Sequence, residues 1–296
     1  MERVRANWLW WAAVAVCSGC GATGRGAYAE ADAQYERARS LYLAGDHVAA
    51  GQALGAFADR FRYHQNADTA QYWSGEAYYA AGHHEAAFDA YQKLSRHFKR
   101  SKFLARANRR CFQIGSKLLE VGDAKGIEVL DYAIDQGRFA DLAVKAHMDL
   151  GTYYWGRGRF AEAQIEYDAV ARDHAGSGSA PLARFMAALS LYRQVDEPAR
   201  NMEKLAAARK RLRGLRTAAL PAGLMEQLDR YLGRADDLGA ERHLLTARFY
   251  LKQGVFLPAI PHLKEVLEKY PESGDYEPIA RDLIEFLRAE NRKEYK

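Results

Sequence analysis

Alternation of apolar and polar residues, the mark of a half-buried strand, is missing at any useful length from this chain of 296 residues. Sheet-built folds are thereby excluded. Proline is scarce, at seven residues, so little interrupts a helix. The apolar run Trp8 to Val16 has only nine residues, too few to span a bilayer. No glycine-rich phosphate loop, nucleophile elbow, HExxH or Cys-His cluster occurs, so neither an enzyme, a cofactor nor a small-molecule substrate is expected. Cysteine numbers three. Cys17 and Cys20 form a CxxC in a segment with no fold around it, which argues against the redox or metal role such spacing can signal. Cys111 reads as a lone buried thiol on a helix. The adjacent His83 and His84 would point about 100° apart on a helix, with no carboxylate or cysteine cluster to help them, so they read as solvated turn residues and no metal site is expected. A net charge of +5 is mildly basic, without the clustered field of a nucleic-acid binder.

What is present is a repeat. Leu244 to Pro271 is its clearest copy. The first half, to Gln253, is an amphipathic helix with Leu244, Ala247, Tyr250 and Leu251 on one face. Gly254 stops it, because glycine takes the left-handed conformation without steric cost. A second helix follows with Ala259, Leu263 and Val266 inward, and Pro271 stands just past its end. Small residues recur upstream as anchors at Ala38, Gly75, Gly115, Gly151, Ala188 and Ala247. The gaps between them are 37, 40, 36, 37 and 59 residues, so the last holds an insertion. Large residues stand three before each anchor (Tyr35, Tyr72, Phe112, Met148, Phe185, Leu244) and four after (Tyr42, Tyr79, Leu119, Trp155, Tyr192, Leu251). Seven after come Gly45, Gly82, Gly122, Gly158, Val195 and Gly254, so the fifth copy drifts. This is the signature of tetratricopeptide repeats. The predicted fold is all-α: a right-handed α-solenoid of about five to six tetratricopeptide-like helix pairs with a C-terminal capping helix.

Residues 1–19 stand apart from the solenoid. Arg3 and Arg5 followed by Trp8–Val16 read as a secretory signal. Ser18 and Gly19 immediately before Cys20 resemble the lipobox of bacterial lipoproteins, although Cys17 stands where leucine is usual. Residues 1–19 are then a lipoprotein signal peptide, 20–27 a lipidated Cys20 with a flexible tether, and 28–296 the repeat solenoid. Within the last, the pairs are Tyr28–Ala44 with Asp46–Phe61, Asp68–Ala81 with His83–Phe98, Lys102–Val121 with Ala124–Gly137, and Leu142–Gly156 with Phe160–His174. Pro181–Gln194 then pairs with Pro198–Leu215. One long helix is expected from Ala222 to Gln253, and Glu277–Asn291 closes the array. Asp46 is placed to cap a helix, and the run Arg209-Lys210-Arg211-Leu212-Arg213 is expected to be exposed.

With these features the chain resembles the BamD lipoproteins of the outer-membrane β-barrel assembly machinery. The residues that carry the likeness are Tyr35-Glu36-Arg37-Ala38 with Gly45-Asp46, Gly82 to Tyr91, and above all Ala247 to Gly254, Ala259-Ile260 and Glu268 to Ser273. The resemblance implies a non-catalytic periplasmic scaffold on the outer membrane. It would hold a barrel-forming insertase and accessory lipoproteins, and would read unfolded barrel substrates. The alternative keeps the fold and changes the partner, to an adaptor for pilus biogenesis or for peptidoglycan and Tol-Pal coordination. A cytoplasmic co-chaperone is disfavoured, since the asparagines of a carboxylate clamp are missing from Tyr28–Ala44 and Asp68–Ala81. Barrel substrates end in aromatic strands, so an aromatic groove suits them: Tyr35, Tyr42, Tyr72 and Tyr79, with Arg39 and Glu76 for polar contacts, are the candidate peptide-binding residues. Core packing is the competing reading, more so for Tyr35 and Tyr72. Arg209, Arg211, Arg248 and Lys252 are candidates for docking the insertase, against the plainer reading of a solvated charged face.

Overall fold

The computed structural model describes residues 28–136, 140–195, 201–218 and 220–294. The expected signal segment, Cys20 and the expected tether lie outside the described residues, as do Gly137 and Pro198, where two helix boundaries are expected. All regular secondary structure among the described residues is α-helical. Helix α1 covers 28–43. It is followed by α2 (His47–Arg60), α3 (Ala67–Ala80), α4 (His84–His97), α5 (Leu104–Glu120) and α6 (Lys125–Asp135). Then come α7 (Ala140–Gly156), α8 (Phe160–Asp173), α9 (Ala180–Arg193), α10 (Met202–Gly214), α11 (Ala222–Lys252), α12 (Ala259–Lys269) and α13 (Tyr276–Glu294). The chain divides into two compact units, one ending at Arg138 and the other starting at Phe139.

In the first unit the pairs are α1–α2, α3–α4 and α5–α6. Gly45 turns the chain with φ of +85°, a conformation in which a Cβ would be strained. Asp46 then accepts the Ala49 N–H at 3.2 Å and starts α2, the expected cap. The small anchor column works by contact. A Cβ placed on Gly75 would overlap the Tyr91 ring, so only glycine lets that ring cross between α3 and α4. Around it Tyr72, Phe88, Leu94, Phe103, Cys111 and Ile114 form one core, while Leu54 and Phe57 of α2 pack with Ala31, Ala38 and Ala70 in another. Two buried hydrogen bonds lock neighbouring helices, Ser74 Oγ donating to the Gly51 carbonyl at 2.7 Å and Gln71 Nε2 to that of Ala90 at 2.9 Å. Each contributes on the order of 1 kcal/mol, and would cost more if left unmade.

The second unit repeats the device. A Cβ on Gly151 would lie 2.6 Å from the Tyr167 ring, and one on Gly239 would overlap the Tyr270 ring. The fifth copy, with Val195 in the glycine column, has no left-handed turn there: among the described residues no residue other than glycine has positive φ. The long helix runs as expected, its 31 residues extending about 47 Å at 1.5 Å per residue. Its first half packs Leu228 and Leu232 with Phe185, Leu212 and Leu215, and its second half packs Leu244 and Ala247 with Leu263 and Val266. Helix α13 closes the unit by burying Ala280, Ile284 and Leu287 on that last pair. Without it the same apolar faces would meet water.

Candidate functional site

Helix spacing brings Tyr35, Arg39 and Tyr42 to one side of α1, at i, i+4 and i+7. There, with Leu43, Leu54 and Trp73, they line an open cavity of about 340 Å³. The Tyr42 and Trp73 rings meet edge to face at 5.1 Å between centroids, and Tyr35 rests on Phe57 at 5.4 Å. Leu43 is 75 % and Trp73 38 % exposed, so the wall is apolar yet reachable. Arg39 pairs with exposed Glu36 at 3.3 Å, a contact of little energetic weight that a ligand carboxylate could replace. Burial, then opposed by Arg39, raises the Tyr35 hydroxyl above its usual range, keeping it a neutral donor.

The other three candidates sit elsewhere in the same unit and are spoken for. Tyr72 is buried, stacked on Phe103 at 4.5 Å and 8° between planes. Burial first, then Glu76, pushes its hydroxyl up to about 12. Glu76 is 9 % exposed. It accepts the Tyr91 hydroxyl at 2.7 Å and two N–H bonds from Arg110, both at 3.0 Å. Arg110 in turn lies over the Tyr79 ring at 4.7 Å. Glu76 is thus a forked, buried ion pair joining α3, α4 and α5, not a free polar contact for a peptide. The structure divides the six: Tyr35, Arg39 and Tyr42 share a cavity, while Tyr72, Glu76 and Tyr79 hold helices together.

In the second unit the expected exposed basic run is exposed at Lys210, Arg211 and Arg213 but not at Arg209 and Leu212. Arg209 is 12 % exposed at its side chain and pairs with Asp236, which is fully buried on α11. It also donates to the Lys269 carbonyl and covers the Tyr270 ring at 4.4 Å. Arg211 makes 2.9 Å bonds to both oxygens of Asp168 on α8, and Leu212 is fully buried. Arg209 is a clamp between helices, and Arg211 and Arg213 reach Asp168 and Asp236 from exposed positions. A string of cations in one sequence window cannot reveal a carboxylate 27 residues away.

Arg248 and Lys252 are exposed, and the structure adds apolar neighbours to them. Leu245, Arg248, Phe249 and Lys252 recur at i, i+3, i+4 and i+7 along one face of α11. The turn beyond adds Val255, Phe256 and Leu257; the five apolar residues are 43–77 % exposed. An exposed apolar stripe with cations on it has the composition of an interaction surface. Trp73, Leu43 and these five residues are missed by sequence reasoning. A signal exists for the stripe, since Leu244–Lys252 carries apolar residues all round where a helix covered on one side needs only one apolar face.

The profile of the YfiO family, described as outer membrane lipoprotein, matches residues 105–287, more than half of the chain and all of α11 and α12. The chain belongs to the YfiO (BamD) outer membrane lipoprotein family. A tetratricopeptide repeat profile matches residues 69–101, the α3–α4 pair. No curated protein matches. Among solved structures, a tetratricopeptide repeat protein from Parabacteroides merdae is 14% identical, with 86% of this chain and 97% of that chain covered and a TM-score of 0.34. The C-terminal part of a TPR repeat-containing protein from Cytophaga hutchinsonii is 13% identical, with 84% and 98% covered and a TM-score of 0.34. No described helix is long and apolar enough to cross a membrane.

Proposed function

We propose that this protein is a non-catalytic scaffold of outer-membrane β-barrel assembly, lipid-anchored through Cys20 at the periplasmic face, that holds a barrel-forming insertase. Unfolded barrel segments would enter the cavity of the first unit. The observation that carries this reading is the exposed stripe Leu245, Arg248, Phe249 and Lys252 with Val255–Leu257, in a region matched to an outer membrane lipoprotein family. An apolar centre edged by cations supplies both buried area and orientation in a protein interface. The cavity suits an extended peptide rich in aromatic residues, because Tyr42 and Trp73 offer faces and edges for stacking and Arg39 a counter-charge.

The test is a mild crosslink and pull-down from native membranes, with the natural chain and with Phe249→Glu/Leu257→Glu. A barrel insertase recovered with the first and lost with the second is the expected result. Pilus or cell-wall components in its place would refute the assembly reading. For the cavity, Tyr42→Ala/Trp73→Ala is expected to weaken binding of an aromatic C-terminal barrel peptide about tenfold or more, the loss typical of a stacked anchor. Unchanged binding in a folded variant removes the cavity from the mechanism. Palmitate labelling, with Cys20→Ala as control, tests the anchor.

A further inference from the structure

The first unit also carries a surface outside the cavity. The chain enters α1 at one edge of the helix pairs, beside the end of α2: the Tyr28 and His64 rings are 6.1 Å apart, Glu30 pairs with Arg60 at 3.1 Å, and Asp32 with His64 at 3.2 Å. At that edge Tyr28, Arg60, Phe61, Arg62, Tyr63 and His64 line an open cleft of about 220 Å³. Tyr63 is 97 % and Tyr28 62 % exposed. The α4–α5 turn lies on the same edge, since Ser101 donates to Asp68 at the start of α3 at 2.8 Å. It adds exposed Arg96, Lys99, Arg100 and Lys102. Burial first, and then the charges of Arg62 and Arg96, opposed by Asp59, lowers His97, which lies between the two turns. Of the carboxylates nearby, Glu30 is offset by Arg60 and Asp59 by Lys93, while Asp32 lies against His64 and Asp68 against the Ser101 hydroxyl; the exposed Arg62, Arg96, Lys99, Arg100 and Lys102 outnumber those last two.

Covalent geometry fixes what this edge can face. Cys20 precedes Tyr28 by eight residues, and eight residues reach at most about 29 Å even fully extended. A lipid on Cys20 therefore keeps Tyr28, where the chain enters this edge, within that distance of the bilayer. The opposite edge, with the Gly45, Gly82 and Gly122 turns, is separated from it by a helix length: α2 has 14 residues, about 21 Å. Exposed tyrosines among arginines and lysines have the composition of a membrane interface, where rings settle at headgroup depth and cations meet phosphates.

We propose that the edge formed by Tyr28, Arg60, Arg62, Tyr63 and the Lys99–Lys102 turn docks on an anionic phospholipid surface, so that the first unit stands on the membrane instead of swinging from a string. The proposal rests on acylation of Cys20. Arginine suits it, because its fork meets phosphodiester oxygens two at a time.

The experiment uses the full acylated chain in vesicles of phosphatidylethanolamine and phosphatidylglycerol, with an environment-sensitive dye on Tyr63→Cys or on Val121→Cys. Val121 is 75 % exposed at the opposite edge. A nitroxide on the lipid headgroups is expected to quench the dye at 63 at least threefold more than at 121. The difference should vanish in Arg62→Glu/Arg100→Glu, since each cation near such a surface is worth about fivefold in binding. Equal quenching at both positions, or none at 63, overturns the proposal while leaving the anchor in place, and assigns the edge to a protein partner or to solvent. Absence of palmitate incorporation removes the anchor, and this inference falls with it.

Discussion

Removal of the Arg110 guanidinium probes the first unit where its helices are most strongly coupled. Arg110→Met keeps most of the side chain's apolar stem but leaves Glu76, 9 % exposed, bonded to the Tyr91 hydroxyl without a counter-charge. Breaking a buried pair in this way typically costs about 3–5 kcal/mol. The Arg110 side chain is 35 % exposed, so water can enter the vacated space, which sets the expectation at the low end, about 3 kcal/mol. Adding Glu76→Gln removes the stranded charge while keeping an oxygen for Tyr91. The double variant should then lose only about 1–1.5 kcal/mol, chiefly the cation contact with Tyr79 and an imperfect hydrogen bond. Glu76→Gln alone, which weakens the bonds to a partly exposed Arg110, should cost about 1 kcal/mol, so the pair is predicted to show a coupling of about 2.5–3 kcal/mol in a double-mutant cycle. Urea unfolding followed by circular dichroism gives the free energies, and hydrogen exchange of α3 and α5 amides shows whether the loss is local. A cost below about 1 kcal/mol for Arg110→Met, or a double variant as unstable as the two singles added together, would refute this account of Glu76.

Two glycines of α11 should respond with opposite sign to alanine. Gly233 has open space where a Cβ would stand, with nothing within 4 Å, so Gly233→Ala should stabilise by up to about 1 kcal/mol. Gly239→Ala would press on Tyr270, itself covered by Arg209, and should destabilise by about 1–2 kcal/mol once the same helix gain is subtracted from the overpacking cost; thermal unfolding of both variants checks the contrast. Burial raises the Cys111 thiol well above its ordinary range, so iodoacetamide at pH 8 should leave it unmodified until urea unfolds the first unit, as mass spectrometry would report. His243 is held below its usual range, by burial first, with its Nδ1 3.3 Å from that of His262. The folded state then binds fewer protons than the unfolded one, and stability present above the unfolded value near 6.5 is lost as pH falls through it. Urea midpoints at pH 7.5 and 5.0 should therefore differ less in His243→Gln than in the natural chain.

The helices were legible because their signals are local. The glycine column, the Asp46 cap and the run without proline after Pro221 all act within a few residues, and α2, α11 and α13 start and stop close to where those residues put them. Side-chain roles depended on partners distant in the chain and were less legible. Tyr72 and Tyr35 occupy the same column, three before the anchor, yet Phe103 stacks on the first while the second stands on a cavity wall. Arg209 and Arg248 look alike in sequence, but only Arg209 meets a buried aspartate. Glu76 passed for a surface acid because its two partners, Tyr91 and Arg110, arrive from the next two helices.

The 59-residue interval between the last two anchors is filled by extending one helix instead of adding a loop, and this has a mechanical consequence. Helix α11 acts as an axle: Leu228 and Leu232 are seated in one bearing, Leu244 and Ala247 in the next. With no break in the helix between them, a load applied at Phe249 is passed along one continuous hydrogen-bonded rod toward the first bearing. Removing three residues near Gly233 would rotate one set of contacts by roughly 300° relative to the other, so the two bearings must gain or lose their fit together.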